Sequence, residues 1–199
     1  MKFNPHELTA LLVAISFAAG LNVYAAIASL GLLARFNFLS LPSSLEILTS
    51  WYVIGVCVVL FAVEFFADKV PAFDLIWNAL HTFVRVPVAA FLAYHATANL
   101  PLWEQMSATV AGSAIALAAH GGKIAARAAV TPSPEPVSNS MLSMAEDAFV
   151  VFLVWFASRH PYWAAAIVAV CLLVIIVLIR WVIRAMRNLF IGAEHVVAQ

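Results

Sequence analysis

The sequence predicts an all-α integral membrane protein: six hydrophobic segments forming a pseudo-symmetric repeat of two three-segment halves. Three observations predict it. The chain is 65% hydrophobic and 10% charged, against about 45–50% and 25% in ordinary soluble domains. Apolar runs long enough to cross a bilayer, about 20 residues each, recur from end to end and leave almost no room for an extramembrane domain. The ionisable residues inside those runs fall at helical spacings. The whole chain, 1–199, therefore reads as a single transmembrane domain with halves at 1–100 and 101–199.

Segment one runs from about Pro5, a residue suited to a first helical turn, to Arg35. Its apolar run follows Lys2, His6 and Glu7 and is too long for a signal h-region, so it reads as a retained helix. Gly20-Leu21-Asn22 interrupts it near its centre. Either small residues let a neighbour pack closely while Asn22 bonds that neighbour, or the helix is broken or re-entrant with its ends pointing into a cavity. Residues 36–50, with Pro42, Ser43 and Ser44, read as a loop. Segment two starts at the interfacial pair Trp51-Tyr52 and ends near Phe66. Glu64, in its last turn beside Asp68 and Lys69, is expected to snorkel or pair at the boundary. Cys57 and Cys171 lie in apolar runs and read as buried free thiols, not as a disulfide or metal pair.

Segment three follows a turn at Val70-Pro71 and continues to about His95. It carries Asp74, Asn78, His81 and Arg85 at spacings of 4, 3 and 4, which hold all four side chains within about 60° of arc. Arg85 lies roughly 16 Å beyond Asp74, about half of a ~30 Å hydrocarbon core. Pro87 is expected to kink the helix just past it. Segment four, about Glu104 to Val130, is rich in Ala, Gly and Ser and is expected to sit centrally in the packing. It ends with His120, Lys123 and Arg127 on one face, and Gly121-Gly122 is a second candidate break. Segment five begins near Ser138-Asn139, after the proline-punctuated stretch Thr131 to Pro136, and carries Glu146 and Asp147. Segment six has 18 uncharged residues from Tyr162 to Ile179, then Arg180, Arg184 and Arg187, a basic end that marks a cytoplasmic C-terminus.

Segments three and five echo each other at an offset of 61 residues, Asp74, Asn78 and Arg85 matching Glu135, Asn139 and Glu146. Two topologies follow. Six plain spans run the echoing helices parallel; re-entrant segments one and four run them antiparallel, as an inverted repeat requires. Each puts seven Lys and Arg against two across the membrane, so the positive-inside rule does not choose. In either case Arg85 and Glu146 are placed to pair near the midplane.

The run Glu64-Phe65-Phe66-Ala67-Asp68-Lys69-Val70-Pro71, then Asp74, Trp77 and His81-Thr82-Phe83-Val84-Arg85, resembles the first half of the bacterial domain-of-unknown-function 4126 membrane proteins. His120, Lys123, Arg127, Ser133-Pro134-Glu135-Pro136, Ser138-Asn139 and Glu146-Asp147 resemble that family's second signature, although Val130-Thr131-Pro132 stands where an Asn is expected. The resemblance covers nearly the whole chain. It implies a multi-pass inner-membrane protein and brings no established activity.

Function must then come from the charges. A charged residue at mid-membrane costs roughly 2.5–3.5 kcal/mol on insertion scales, and several such residues spread over three helices exceed what one register-fixing pair needs. The expected function is transport of a small ion or anionic solute, by a transporter, flippase or channel-like protein, with proton coupling. The expected substrate or ion site is Asp74, Asn78, His81, Arg85, Glu135, Asn139, Glu146 and Asp147, with His120, Lys123 and Arg127 gathering anions at its mouth. The alternative is a structural or partner-binding membrane subunit whose ion pairs fix helix register. The chain has no His-Glu-x-x-His, no Gly-x-Ser-x-Gly and no phosphate loop, so it is not expected to be an enzyme. An intramembrane hydrolase or transferase using His120 with an acid is the minor alternative. No cofactor and no metal are expected. No nucleic-acid partner is expected either, although a formal net charge of zero argues neither for nor against nucleic acid or anionic partners. The lipid bilayer and a second copy of the chain, in a homo-oligomer, are the expected partners.

Overall fold

The computed structural model describes residues 4–68, 71–130 and 136–197. Every element among them is helical: α1 (Pro5–Leu21), α2 (Val23–Arg35), a 3-10 helix (Ser43–Thr49), α3 (Trp51–Ala67), α4 (Pro71–Ala96), α5 (Leu102–Val130), α6 (Pro136–Arg159) and α7 (Pro161–Val197). Two of them are long and apolar enough to cross a membrane, Ser140–Arg159 and Pro161–Ala185, with mean hydropathies of 1.6 and 3.1. Large apolar side chains such as Val59, Val110, Val151 and Val177 stand exposed on the outer surface, while Glu64, Asp68, Arg85, His120 and Lys123 are buried. That is the reverse of a water-soluble bundle and suits an apolar solvent.

α1 opens on a capping box, with Asn4 accepting from the Glu7 amide and Glu7 accepting from the Asn4 amide. It stops at Asn22, whose backbone is extended at φ −148° and ψ 102°. The Asn22 side chain caps α2 by accepting from the Ala25 amide at 3.0 Å. Segment one is therefore broken, and its arms fold back on each other. A small cavity is lined by Leu8, Leu11 and Leu12 of α1 together with Leu30 of α2. Along one straight helix Leu8 and Leu30 would lie roughly 33 Å apart. α1 runs alongside α5, with Gly20 against Ala116 and Ala119. α2 runs in the opposite direction alongside α4, with Tyr24 at His81 and Leu30 near Leu92. Asn37, at φ 60°, takes the left-handed conformation that Asn tolerates and turns the chain out of α2.

The second candidate break is absent. α5 is one helix through Gly121-Gly122. A Cβ on Gly122 would lie 2.5 Å from Ile175 Cγ1, so the glycine admits α7 to close contact and does not interrupt the helix. α4 likewise stays helical through Pro87. The small-residue helix α5 packs against α1, α4 and α7, but the buried centre is α1, which packs against α2, α4, α5, α6 and α7.

Because α5 crosses the bundle unbroken, α4 and α6 run in the same direction. The C-terminus of α4 meets the 36–50 connection where the Ser44 hydroxyl donates to the His95 carbonyl, and the C-terminus of α6 meets it where Arg159 lies over Phe38. The antiparallel arrangement of the two echoing helices, with re-entrant segments one and four, does not occur. Segment one doubles back and segment four does not.

Candidate functional site

The tip of the α1–α2 hairpin, the end of α3, the middle of α4, the C-terminal third of α5 and the first half of α6 meet inside the bundle. α3 is apolar until its last turn, which delivers Glu64 and, at the C-cap one turn on, Asp68. α5 delivers Lys123 and Arg127 at the same four-residue spacing, so two acids face two bases. Asp68 Oδ2 accepts from Arg127 at 2.7 Å, from Lys123 at 3.1 Å and from the Ser143 hydroxyl of α6 at 3.2 Å. Glu146 Oε2 accepts from Arg127 at 3.3 Å and lies 3.5 Å from Lys123. Lys123 Nζ is also 3.6 Å from Glu64 Oε1. One ammonium thus lies within reach of three carboxylates.

Arg85 joins the same cluster from α4 and is fully buried. Its Nη2 donates to Glu64 and its Nη1 donates to His120 Nδ1 at 2.7 Å. A guanidinium only donates, so His120 Nδ1 accepts and carries no proton. His120 Nε2 then holds the ring's proton and donates to Thr82 Oγ1 at 2.7 Å, which makes the imidazole neutral. One turn earlier on α4, His81 Nε2 meets the Tyr24 hydroxyl of α2 at 3.0 Å.

Asp147 stands apart from the ion pairs. Its Oδ1 accepts from Asn22 Nδ2 at 2.8 Å. The same Asn22 amide caps α2 through its oxygen, so the cap decides which way the amide points and aims its NH₂ at Asp147. Asp147 Oδ2 is buried and has no hydrogen-bond partner among the described residues.

The expected site residues distribute as follows. His81, Arg85, Glu146 and Asp147 come together, and His120, Lys123 and Arg127 join them. The basic trio does not form an open mouth: it is buried, with Lys123 and Arg127 holding carboxylates and His120 neutral. Arg85 pairs with Glu64, not with Glu146, because the end of α3 lies between them in the network. Glu135 lies outside the described residues, as do the side chains of Asp74, Asn78 and Asn139, which occur in α4 and α6. Glu64 and Asp68 hold the centre of the cluster, yet the sequence reading leaves them at the boundary. The signal for them was an acid pair four apart in α3, matched by a base pair four apart in α5.

Among the described residues no group of three or more His, Cys, Asp or Glu is placed to hold a metal ion. Chemically, the cluster can exchange protons and ion-pair partners in a site shielded from water. Residues 9–181 match the family described as Domain of unknown function (DUF4126). No curated protein and no solved structure matches the chain.

Proposed function

The chain belongs to the domain-of-unknown-function 4126 family, and from its own geometry we propose that it is a multi-pass membrane transport protein for a small ion or anionic solute. The observation that carries this reading is the place of Lys123. It stands 3.6, 3.1 and 3.5 Å from Glu64, Asp68 and Glu146, where a register-fixing pair would need only one partner. A proton arriving at one carboxylate, or an anion taking that carboxylate's place, leaves the ammonium two others, so partners exchange without stranding a buried charge. The broken hairpin brings its helix ends to that same depth, which supplies polar backbone where transporters place their sites. Arg85 would receive an anionic group when Glu64 gives up its hold.

In this reading the bundle lies in the cytoplasmic membrane. Arg180, Arg184 and Arg187 of α7 mark the cytoplasmic face, with Arg35 and Arg159 at the other end. The doubling back of α1–α2 then puts the N-terminal end of α1 on the face opposite the C-terminus. The outward apolar surface of α7, with Leu173 and Val177 exposed, serves a homo-oligomer or lipid; a lone monomer mass in native mass spectrometry from mild detergent counts against the oligomer.

The experiment is flux into reconstituted vesicles under an imposed pH gradient. Arg85→Ala and Glu146→Gln should each lower it by at least about tenfold, a barrier or affinity change of about 1.4 kcal/mol or more, while the purified variants stay folded. Unchanged flux in both assigns the charges to structure alone. The pairing of three bases with three acids among the described residues favours a second reading, a structural or partner-binding subunit. It prevails if folded His81→Ala and Arg85→Ala lose only association with another protein.

A further inference from the structure

We infer that Asp147 is a proton-binding site, the carboxyl at which this protein takes up and releases a single proton. The charge count of the cluster leads to it. Arg85, Lys123 and Arg127 are matched by Glu64, Asp68 and Glu146, each acid within ion-pair distance of at least one base. His120 is neutral by its hydrogen bonds. Asp147 is the surplus: it forms no ion pair among the described residues, its Oδ1 is held by the Asn22 amide, and its Oδ2 is unpartnered. Among the described residues, a proton on Oδ2 leaves these charges balanced; without it, Asp147 is a negative charge with no ion-pair partner among them.

The surroundings fix the ligand class. Asp147 is 6% exposed and lines an apolar cleft of about 540 Å³ at the outer surface with Phe61, Val151, Phe152 and Trp155. A metal cation collects several oxygens, and here a single carboxylate oxygen is available in an apolar cleft. A proton needs only that one. The groups facing Asp147 from the packed elements are Asn22 at the hairpin tip, Glu64 and Asp68 on α3 and Lys123 on α5, with Glu146 its neighbour along the chain. α7 brings the thiol of Cys171 to the core. Lys123 is the base in this set, and it lies within ion-pair distance of three other acids. Asn22 donates to the ionised carboxylate and so favours proton release. Because Asn22 is also the break between α1 and α2, loading and unloading of Asp147 acts on the hairpin tip itself. That coupling role rests on the transport reading, whereas the proton site stands on the geometry.

Dicyclohexylcarbodiimide reacts with protonated carboxyl groups in apolar surroundings, the acid O–H adding across a C=N bond, and it suits a cleft of this kind. The full-length protein in lipid nanodiscs is treated over a pH series and mapped by peptide mass spectrometry. The adduct should appear on Asp147 and fall at least tenfold as pH rises. It should be lost in Asp147→Asn and retained in Glu146→Gln. In Asn22→Ala it should persist to higher pH, because the donor that favours the ionised form is gone. An adduct confined to other carboxyls, or one on Asp147 that ignores pH, overturns the inference. Labelling that follows pH without any flux in vesicles upholds the proton site and removes the transport reading. PH-driven flux without labelling does the opposite.

Discussion

Two stretches of this chain carry a similar interruption and resolve it in opposite ways. Gly20-Leu21-Asn22 breaks segment one into α1 and α2, and Gly121-Gly122 passes through α5 without a break. Glycine does not make the difference, since the unbroken stretch has two and the broken one has one. A side chain does. Asn22 closes α1, caps α2 through Ala25 and meets Asp147, so the polar groups freed by the break find partners in a dry interior. Gly121 and Gly122 bring no such side chain, and Ile175 fills the space over Gly122. In an apolar setting glycine permits a break, and a capping residue with a buried partner establishes it.

The largest expected effect tests the capped break. Asn22→Ala removes a cap, worth about 1 kcal/mol, and takes the hydrogen bond from a buried carboxyl, worth about 1–3 kcal/mol more. Thermal unfolding in nanodiscs should register a total loss of about 2–4 kcal/mol. Asn22→Ala combined with Asp147→Ala should cost less than the sum of the two singles, with a coupling of about 1–2 kcal/mol. Strict additivity would mean that the two side chains do not meet. The next effect lies at the unbroken stretch. Gly122→Ala puts a methyl group against Ile175 and should destabilise by about 1–3 kcal/mol; adding Ile175→Ala should recover most of that loss. The smallest effect is the sharpest discriminator. A Cβ on Gly121 meets only Ile179 Cδ1, at 3.9 Å, so Gly121→Ala should be neutral or stabilising by up to about 1 kcal/mol through helix propensity. A loss of stability there would indicate that the helix needs glycine's freedom at this point, and the contrast with Asn22 would fail.

A second contrast explains why part of the site was legible and part was not. The unit formed by α3 and α4 carries acid, acid, then base at Glu64, Asp68 and Arg85. The unit formed by α5 and α6 carries base, base, then acid at Lys123, Arg127 and Glu146. Signs are inverted and the two sets neutralise each other. Arg85, Glu146 and Asp147 were legible because a charge inside an apolar run is costly wherever the run is placed. Glu64 and Asp68 were not, because an acid in the last turn of a spanning helix has an inexpensive alternative at the membrane surface. Their burial follows from the end of α3 stopping beside Lys123, and no local feature of α3 specifies that.

By itself the sequence determined the helical class, the ends of most helices and the buried charges of α4 and α6. These follow from composition and period, and each is settled within one helix. Only the tertiary structure decided that α1 and α2 double back, that α5 does not, that α4 and α6 therefore run parallel, and that Arg85 pairs with Glu64 and not with Glu146. Pairing in a dry interior depends on which helix ends reach the same depth. Depth depends on how many times the chain has reversed, and a single capped asparagine adds one reversal that no periodicity records.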